Sequence, residues 1–254
     1  MAENLPPAAA NCLPGDAAPA AITGPDEKGV FSALAATGSG GPGNRFVLAD
    51  ISPRTSPAEI AKTVQGETLW AWAAGKPNRW GLVPAWIVAA PQGTAGDTAL
   101  QQIRLIDRGL AMAAPHFSSM ACSKALIEAE HSARFAKRGR WQHEDALSTM
   151  NLNALTGAAG TYVLAEGRIV SLGKSAHTRY LNFGRNWKTD FTATLSTSQD
   201  KSFSDALAAA GMSLEDLAGH AVQIRGVVDL NDGPHIHMTH PGQLIILDGN
   251  EDRK

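Results

Sequence analysis

The chain has 254 residues, enough to bury one large core or two small ones. Its 22 Lys and Arg against 24 Asp and Glu leave a formal charge of −2, which excludes a global basic field of the kind that announces nucleic acid. No apolar run reaches the roughly 20 residues that a membrane-spanning helix needs.

The first elements in chain order are irregular. MAENLPPAAANCLPGDAAPAA lacks the positive start and apolar run of a signal peptide. Residues 1–27 read as a Pro- and Ala-rich extension, such as often follows a removed signal. The expected compartment is therefore periplasmic or secreted, with the cytoplasm as the alternative. Cys12 and Cys122 are either two unrelated small apolar residues or one disulfide tying this tail to a helix. Spacing alone leaves both open.

From Lys28 to about Ala90 the signals are strand-like. VFSALAA and RFVLADI are short apolar runs, and TGSGGPG between them is a turn or loop. SPAEIAKTVQG predicts a short helix capped by Ser56, with Pro57 in its first position and Glu59 in its first turn. RWGLVPAWIVAA predicts a strand that Pro84 weakens or bulges. The period then changes. Leu100, Ile103, Ile106 and Leu110 form a helical stripe in TALQQIRLIDRGLAMA, with Asp97 as the cap. SSMACSKALIEAEHSARFAKRGRW predicts a second, longer helix ending at Lys137, Arg138 and Gly139. Residues 144–158 read as a linker with room for one turn of helix.

Residues 159–248 read as a self-contained unit. TYVLAEGRIVSLG, HTRYLNFG and DFTATLS predict three strands, and SFSDALAAAGMSLEDLAG a helical insertion. HAVQIRGVVDLND and GPHIHMTH predict a hairpin turning through Asn231, Asp232 and Gly233, and GQLIILD a closing strand. Three strands, a helix and two strands is the order of an OB-fold.

A set of short phrases carries a resemblance over residues 28–143. They are Leu48-Ala49-Asp50-Ile51-Ser52-Pro53, Asn78-Arg79-Trp80-Gly81, Leu100-Gln101, Arg108-Gly109-Leu110-Ala111, and Ala129-Glu130 through Arg138-Gly139-Arg140-Trp141. In order and spacing this region resembles the thermonuclease (micrococcal nuclease-like) family. The resemblance implies an OB-type five-stranded barrel with C-terminal helices. The overall expectation is thus an α+β chain, mainly β, built from two OB-type barrels.

The family's chemistry does not carry over to these residues. The resemblance implies a calcium ion held by aspartates, a glutamate that prepares water and two arginines that clamp phosphate. Here no acid lies between Val30 and Arg45, where the family has an aspartate. The next aspartate position falls on Ser52, the glutamate position on Arg54 or Thr55, and the second arginine on Leu82. Only Arg45 stands where the first arginine would be, and Asp50 offers one ligand if the register slips. Arg134, Lys137, Arg138 and Arg140 read as a solvated helix end.

The segment GRIVSLGKSAHTRYLNFGRNWKTDFTATL resembles one that accompanies degenerate thermonuclease domains in some bacterial proteins. It holds five cations and no acid from Gly167 to Thr189: Arg168, Lys174, Arg179, Arg185 and Lys188. Tyr180, Phe183 and Trp187 are interleaved. On an OB-type face these are the ingredients of a nucleic-acid or polyanion site, so Arg168, Lys174, Arg179, Tyr180, Arg185, Trp187 and Lys188 are the candidates. Alternation opposes this by sending Phe183 and Phe191 to the core. The nine Lys and Arg against eleven Asp and Glu in residues 155–254 oppose it too.

His235 and His237 share one strand face, with His240 just beyond, so the three are a candidate metal site to which Met238 could add a soft ligand. The alternative is a solvated strand face. Together these features predict a non-catalytic binding or assembly module of the bacterial envelope, without a cofactor. A protein partner is the first expectation. A nucleic-acid-binding protein, a residual calcium-dependent phosphodiesterase and an interaction subunit of a larger assembly stay open. Exposed Trp70, Trp72 and Trp86 would favour the last.

Overall fold

The structure, a computed structural model, describes residues 7–15, 17–34, 44–91, 98–186 and 188–247. The predicted cap Asp97, the TGSGGPG loop and Trp187 lie outside these residues. The chain divides into two compact units, Met1–His143 and Glu144–Lys254.

In the first unit, alternating apolar runs give β1 (Ala20–Thr23), β2 (Phe31–Ala33), β3 (Arg45–Leu48), β4 (Ile51–Pro53), β5 (Glu67–Ala73), β6 (Val83–Pro91), β7 (Ala99–Leu100) and β8 (Ala111–Ala113). The helices are α1 (Pro7–Ala10), α2 (Pro57–Thr63), α3 (Gln101–Asp107) and α4 (Met120–Phe135). β1 pairs with β2 and β5, β2 with β3, and β5 with β6, all antiparallel. A parallel pairing of β3 with β6, Phe46 opposite Val83 and Leu48 opposite Ala85, closes the ring. The result is a closed five-stranded β-barrel, with α2 between β3 and β5. Ser56 caps α2 by accepting from the Glu59 N–H, and Pro57 opens it, as the sequence predicts.

Three expectations change. Residues 20–23, read as part of an extension, form a barrel strand between β2 and β5. The stripe from Leu100 to Leu110 is not one helix: α3 ends at Asp107, and Ala111–Ala113 pairs with β4. Gly109 makes this stop. It sits at φ 69°, and a Cβ there would overlap the Arg138 carbonyl. Trp72 and Trp86 face each other across β5 and β6 and are buried, so they form no exposed patch. Pro84 stays within β6, where its carbonyl accepts the Ala74 N–H at 2.8 Å.

The second unit contains β9 (Leu147–Ser148), α5 (Leu152–Gly157), β10 (Tyr162–Arg168), β11 (Ser171–Lys174), β12 (Thr178–Asn182), β13 (Thr192–Ser196), α6 (Asp200–Ala208), β14 (Ala221–Val227), β15 (Asp229–Leu230), β16 (Pro234–Met238) and β17 (Leu244–Ile246). Residues 144–158 carry the short helix α5 and also the strand β9, where the sequence predicts a linker with one turn of helix. Hydrogen bonding gives a four-stranded sheet, β17-β14-β10-β9, and a five-stranded sheet, β11-β12-β13-β16-β15. β13 and β16 are parallel neighbours, with Thr194 opposite His237. The core of this unit includes Phe183, Phe191, Leu195, Phe203, Ile224, Ile236 and Met238. Gly226 lets β14 cross β16, because a Cβ there would overlap the Ile236 side chain.

Cys12 and Cys122 form a disulfide, with their Cα atoms 4.8 Å apart, which fastens the segment after α1 to the first turn of α4. The bond spans 110 residues of sequence, a long loop to constrain in the unfolded chain. Replacing both cysteines by serine is expected to lower unfolding free energy by about 2–4 kcal/mol. Denaturant titration of the variant beside the oxidised and reduced parent checks this, and an unchanged midpoint would contradict it.

Candidate functional site

In the first unit, the thermonuclease-like phrases place polar side chains that hold backbone. Asp50 is buried at φ 53°. Its carboxylate accepts the N–H groups of His116 at 3.0 Å, Phe117 at 2.8 Å and Ser118 at 2.8 Å. The lone pairs a calcium ion would need are thus engaged by one loop. Glu130, fully buried on α4, accepts the Ala113 N–H at 2.7 Å. Gln102, also buried, donates to the Ala85 carbonyl at 2.7 Å and accepts from the Ile87 N–H at 3.3 Å. Arg45 and Arg54 are exposed. At the basic helix end, Arg138 pairs with Asp107 at 2.8 Å. Arg79 stacks 3.9 Å over the exposed Trp80 ring.

The second unit holds a groove of about 750 Å³ on one face of its five-stranded sheet. Strand alternation builds it. Leu181, Ala193, Leu195, Ile236 and Met238 point to the core. The intervening Thr178, Tyr180 and Asn182 of β12, Thr192, Thr194 and Ser196 of β13, and His235 and His237 of β16 line the groove. Register aligns them in rows: Gly173, Tyr180, Thr194 and His237 form one, and Asn182, Thr192 and His235 the next. Lys174, His177, Asn231 and Asp232 complete the wall.

A hydrogen-bonded chain runs along the floor. Asp229 Oδ1 lies 2.9 Å from His235 Nδ1, and His235 Nε2 lies 2.8 Å from Thr194 Oγ1. His237 Nδ1 lies 3.1 Å from the same Thr194 oxygen. A carboxylate accepts only, so the neutral His235 carries its proton on Nδ1 and its Nε2 accepts from Thr194. The one hydroxyl proton is then spent, and neutral His237 donates to Thr194 from Nδ1. His237 Nε2 is left as a lone-pair acceptor on an exposed residue of the groove wall. The Thr192 hydroxyl, in the same groove and only 8% exposed, has no hydrogen-bond partner.

The predicted cationic face is divided by this geometry. Arg179 points away from the groove and grips Asp200 with three hydrogen bonds of 2.8–3.1 Å, and Glu215 with a fourth of 2.7 Å. The Asp200 and Glu215 hydrogen bonds raise the Arg179 pKa, and Arg179 in turn holds the Glu215 carboxyl below its ordinary value. Arg168 donates to the Gly219 carbonyl. Lys174 stands on the groove wall with its Nζ 3.9 Å from Asp200. Arg185 and Lys188 are exposed in the loop after β12, outside the groove lining. Of the interleaved aromatics, Phe183 packs on Phe191 at 5.0 Å in the core, and Tyr180, 37% exposed, lines the groove.

The three histidines do not converge. His240 caps the turn after β16 by accepting the Gly242 N–H at 3.0 Å, and Met238 faces the core. Among the described residues no group of three His, Cys, Asp or Glu could hold a metal ion. No helix among them is long and apolar enough to cross a membrane. The hydroxyl rows of β12 and β13, His177, Asp229 and the hairpin Asn231 and Asp232 were not among the predicted site residues. The alternation in HTRYLN and TATLS is the signal that marks the hydroxyls. No protein-family model and no curated protein matches the chain.

Asp50→Ala leaves three backbone donors without their carboxylate and is expected to cost about 3 kcal/mol, with calcium leaving the thermal midpoint of the parent unchanged. A calcium-induced rise abolished in the variant would instead make Asp50 a ligand. Arg179→Ala is expected to cost about 1–3 kcal/mol by stranding Asp200. Because Glu215 has a lowered folded pKa, its share of this stabilisation is present above the ordinary glutamate value and lost as pH falls through the folded one. Parallel pH titrations of unfolding for parent and Arg179→Ala should therefore converge in acid. Curves that stay parallel would contradict the assignment.

Proposed function

We propose that the chain is a non-catalytic binding module, a thermonuclease-like OB-type barrel without the nuclease site followed by a second OB-type unit that seats the ligand. The first barrel's ring order, with its parallel closure and a helix between the third and fourth strands, supports the OB assignment. In the second unit the antiparallel run β11-β12-β13, the intervening α6 and the parallel β13–β16 pair support the same one. The single observation that carries the functional reading is the polar groove over β12 and β13, the strands with which OB-type units bind oligomers. The use of Asp50 to hold backbone supports loss of the phosphodiesterase chemistry. The disulfide supports an oxidising compartment such as the bacterial envelope.

The test is incubation of the whole chain with single- and double-stranded DNA and RNA, with and without calcium. No cleavage above the protein-free control is the expected result. Calcium-dependent cleavage that disappears in Arg45→Ala would overturn the reading.

A further inference from the structure

We infer that the groove of the second unit is a seat for a neutral, hydroxyl-rich chain, an oligosaccharide, rather than for a polyanion. This rests on the groove being the ligand seat, and it follows from which hydrogen bonds the wall leaves unmade. With both imidazoles neutral, His237 Nε2 presents a lone pair and no proton. A ligand hydroxyl suits this place, because it can donate to the imidazole. A phosphate oxygen does not, since it has no proton to offer His237.

Charge points the same way. Apart from the histidines, the lining carries one cation, Lys174, and one anion, Asp232. Arg179 of the predicted patch is directed to Asp200 and Glu215 instead. A polyanion crossing this face would meet a wall with no net charge and, at His237, an acceptor nitrogen. A peptide is also a poor match. Extended peptides bind by pairing with an exposed strand edge, and this seat is the face of a sheet whose inner strands already have both neighbours. What remains available is side-chain chemistry: hydroxyls, amides, imidazole and the ring of Tyr180. That ring lies against Gly173 across the β11–β12 pair, the small neighbour leaving it room on the sheet surface. A pyranose offers an apolar face for the ring and an equatorial set of hydroxyls for the rows beside it.

The experiment is calorimetric titration of the full chain with chitohexaose, cellohexaose and maltohexaose, with a twelve-residue oligothymidylate as the anionic probe. Two variants accompany the parent. Tyr180→Ala removes the ring, and His237→Asn keeps a donor toward Thr194 while deleting the groove-facing nitrogen. Both are followed by thermal unfolding to confirm folding. The expected result is binding of at least one hexaose that is insensitive to salt and weakened by about tenfold or more in each variant with an unchanged unfolding midpoint. Oligothymidylate binding that falls steeply with salt and depends on Tyr180 would overturn the oligosaccharide assignment while keeping the groove as the ligand seat. Hexaose binding unaffected by either variant would overturn the groove itself. Absence of binding by every probe would overturn the assignment as well.

Discussion

The groove of the second unit depends on the parallel pairing of β13 with β16. The two strands are far apart in sequence, with Thr194 and His237 separated by 43 residues. Yet the pairing sets Thr194 beside His237 and Thr192 beside His235. One register thus assembles the hydroxyl–imidazole chain, fixes the tautomers of both histidines through Asp229, and carries Ile236 and Met238 to the core on the reverse face. Because strand side chains alternate, a slip of one residue would bury the histidines and expose the core. Core packing therefore enforces the polar site: the penalty for misplacing Ile236 and Met238 keeps His235 and His237 where they are.

The same logic explains the fate of the thermonuclease-like phrases in the first unit. Asp50 is the acid nearest to the family's pattern, and it sits at the turn between β3 and β4 with its carboxylate closed over the His116–Ser118 backbone. Glu130 ties α4 to β8, and Gln102 ties α3 to β6. These residues are polar and buried for a shared reason. Where helices meet a barrel, backbone groups at strand ends and loops lack ladder partners, and a side chain must supply them. A resemblance built on such residues reports the barrel and its helices, and it is silent about catalysis.

Much of the fold was legible because alternation and capping are local. Ser56-Pro57 opens α2, TATLS forms β13, and Asn231-Asp232-Gly233 turns the hairpin, with Asp232 and Gly233 at positive φ. What was not legible depended on distant partners. Leu110 continues the apolar stripe of α3, and only the close approach of the Arg138 carbonyl to Gly109 shows why the helix stops. Arg179 reads as a free cation in RYLNFGRNWKTDF, because the acids that claim it lie 21 and 36 residues onward. His240 belongs with His235 and His237 by spacing alone; the turn at Pro241 removes it.

The density of cations and aromatics in that stretch therefore has two separate causes. Arg179 and Phe183 serve the inward face, one joining β12 to the acids of α6 and the following turn, the other packing on Phe191. Tyr180 and Asn182 serve the outward face, where they meet the hydroxyls of β13. Read along the chain, the two sets look like one basic, stacking surface. Separated by the pleat, they become an ion-paired support beneath a charge-balanced groove. The charge is spent on holding the sheet to its helix, and the groove is lined by hydroxyls, amides and imidazoles.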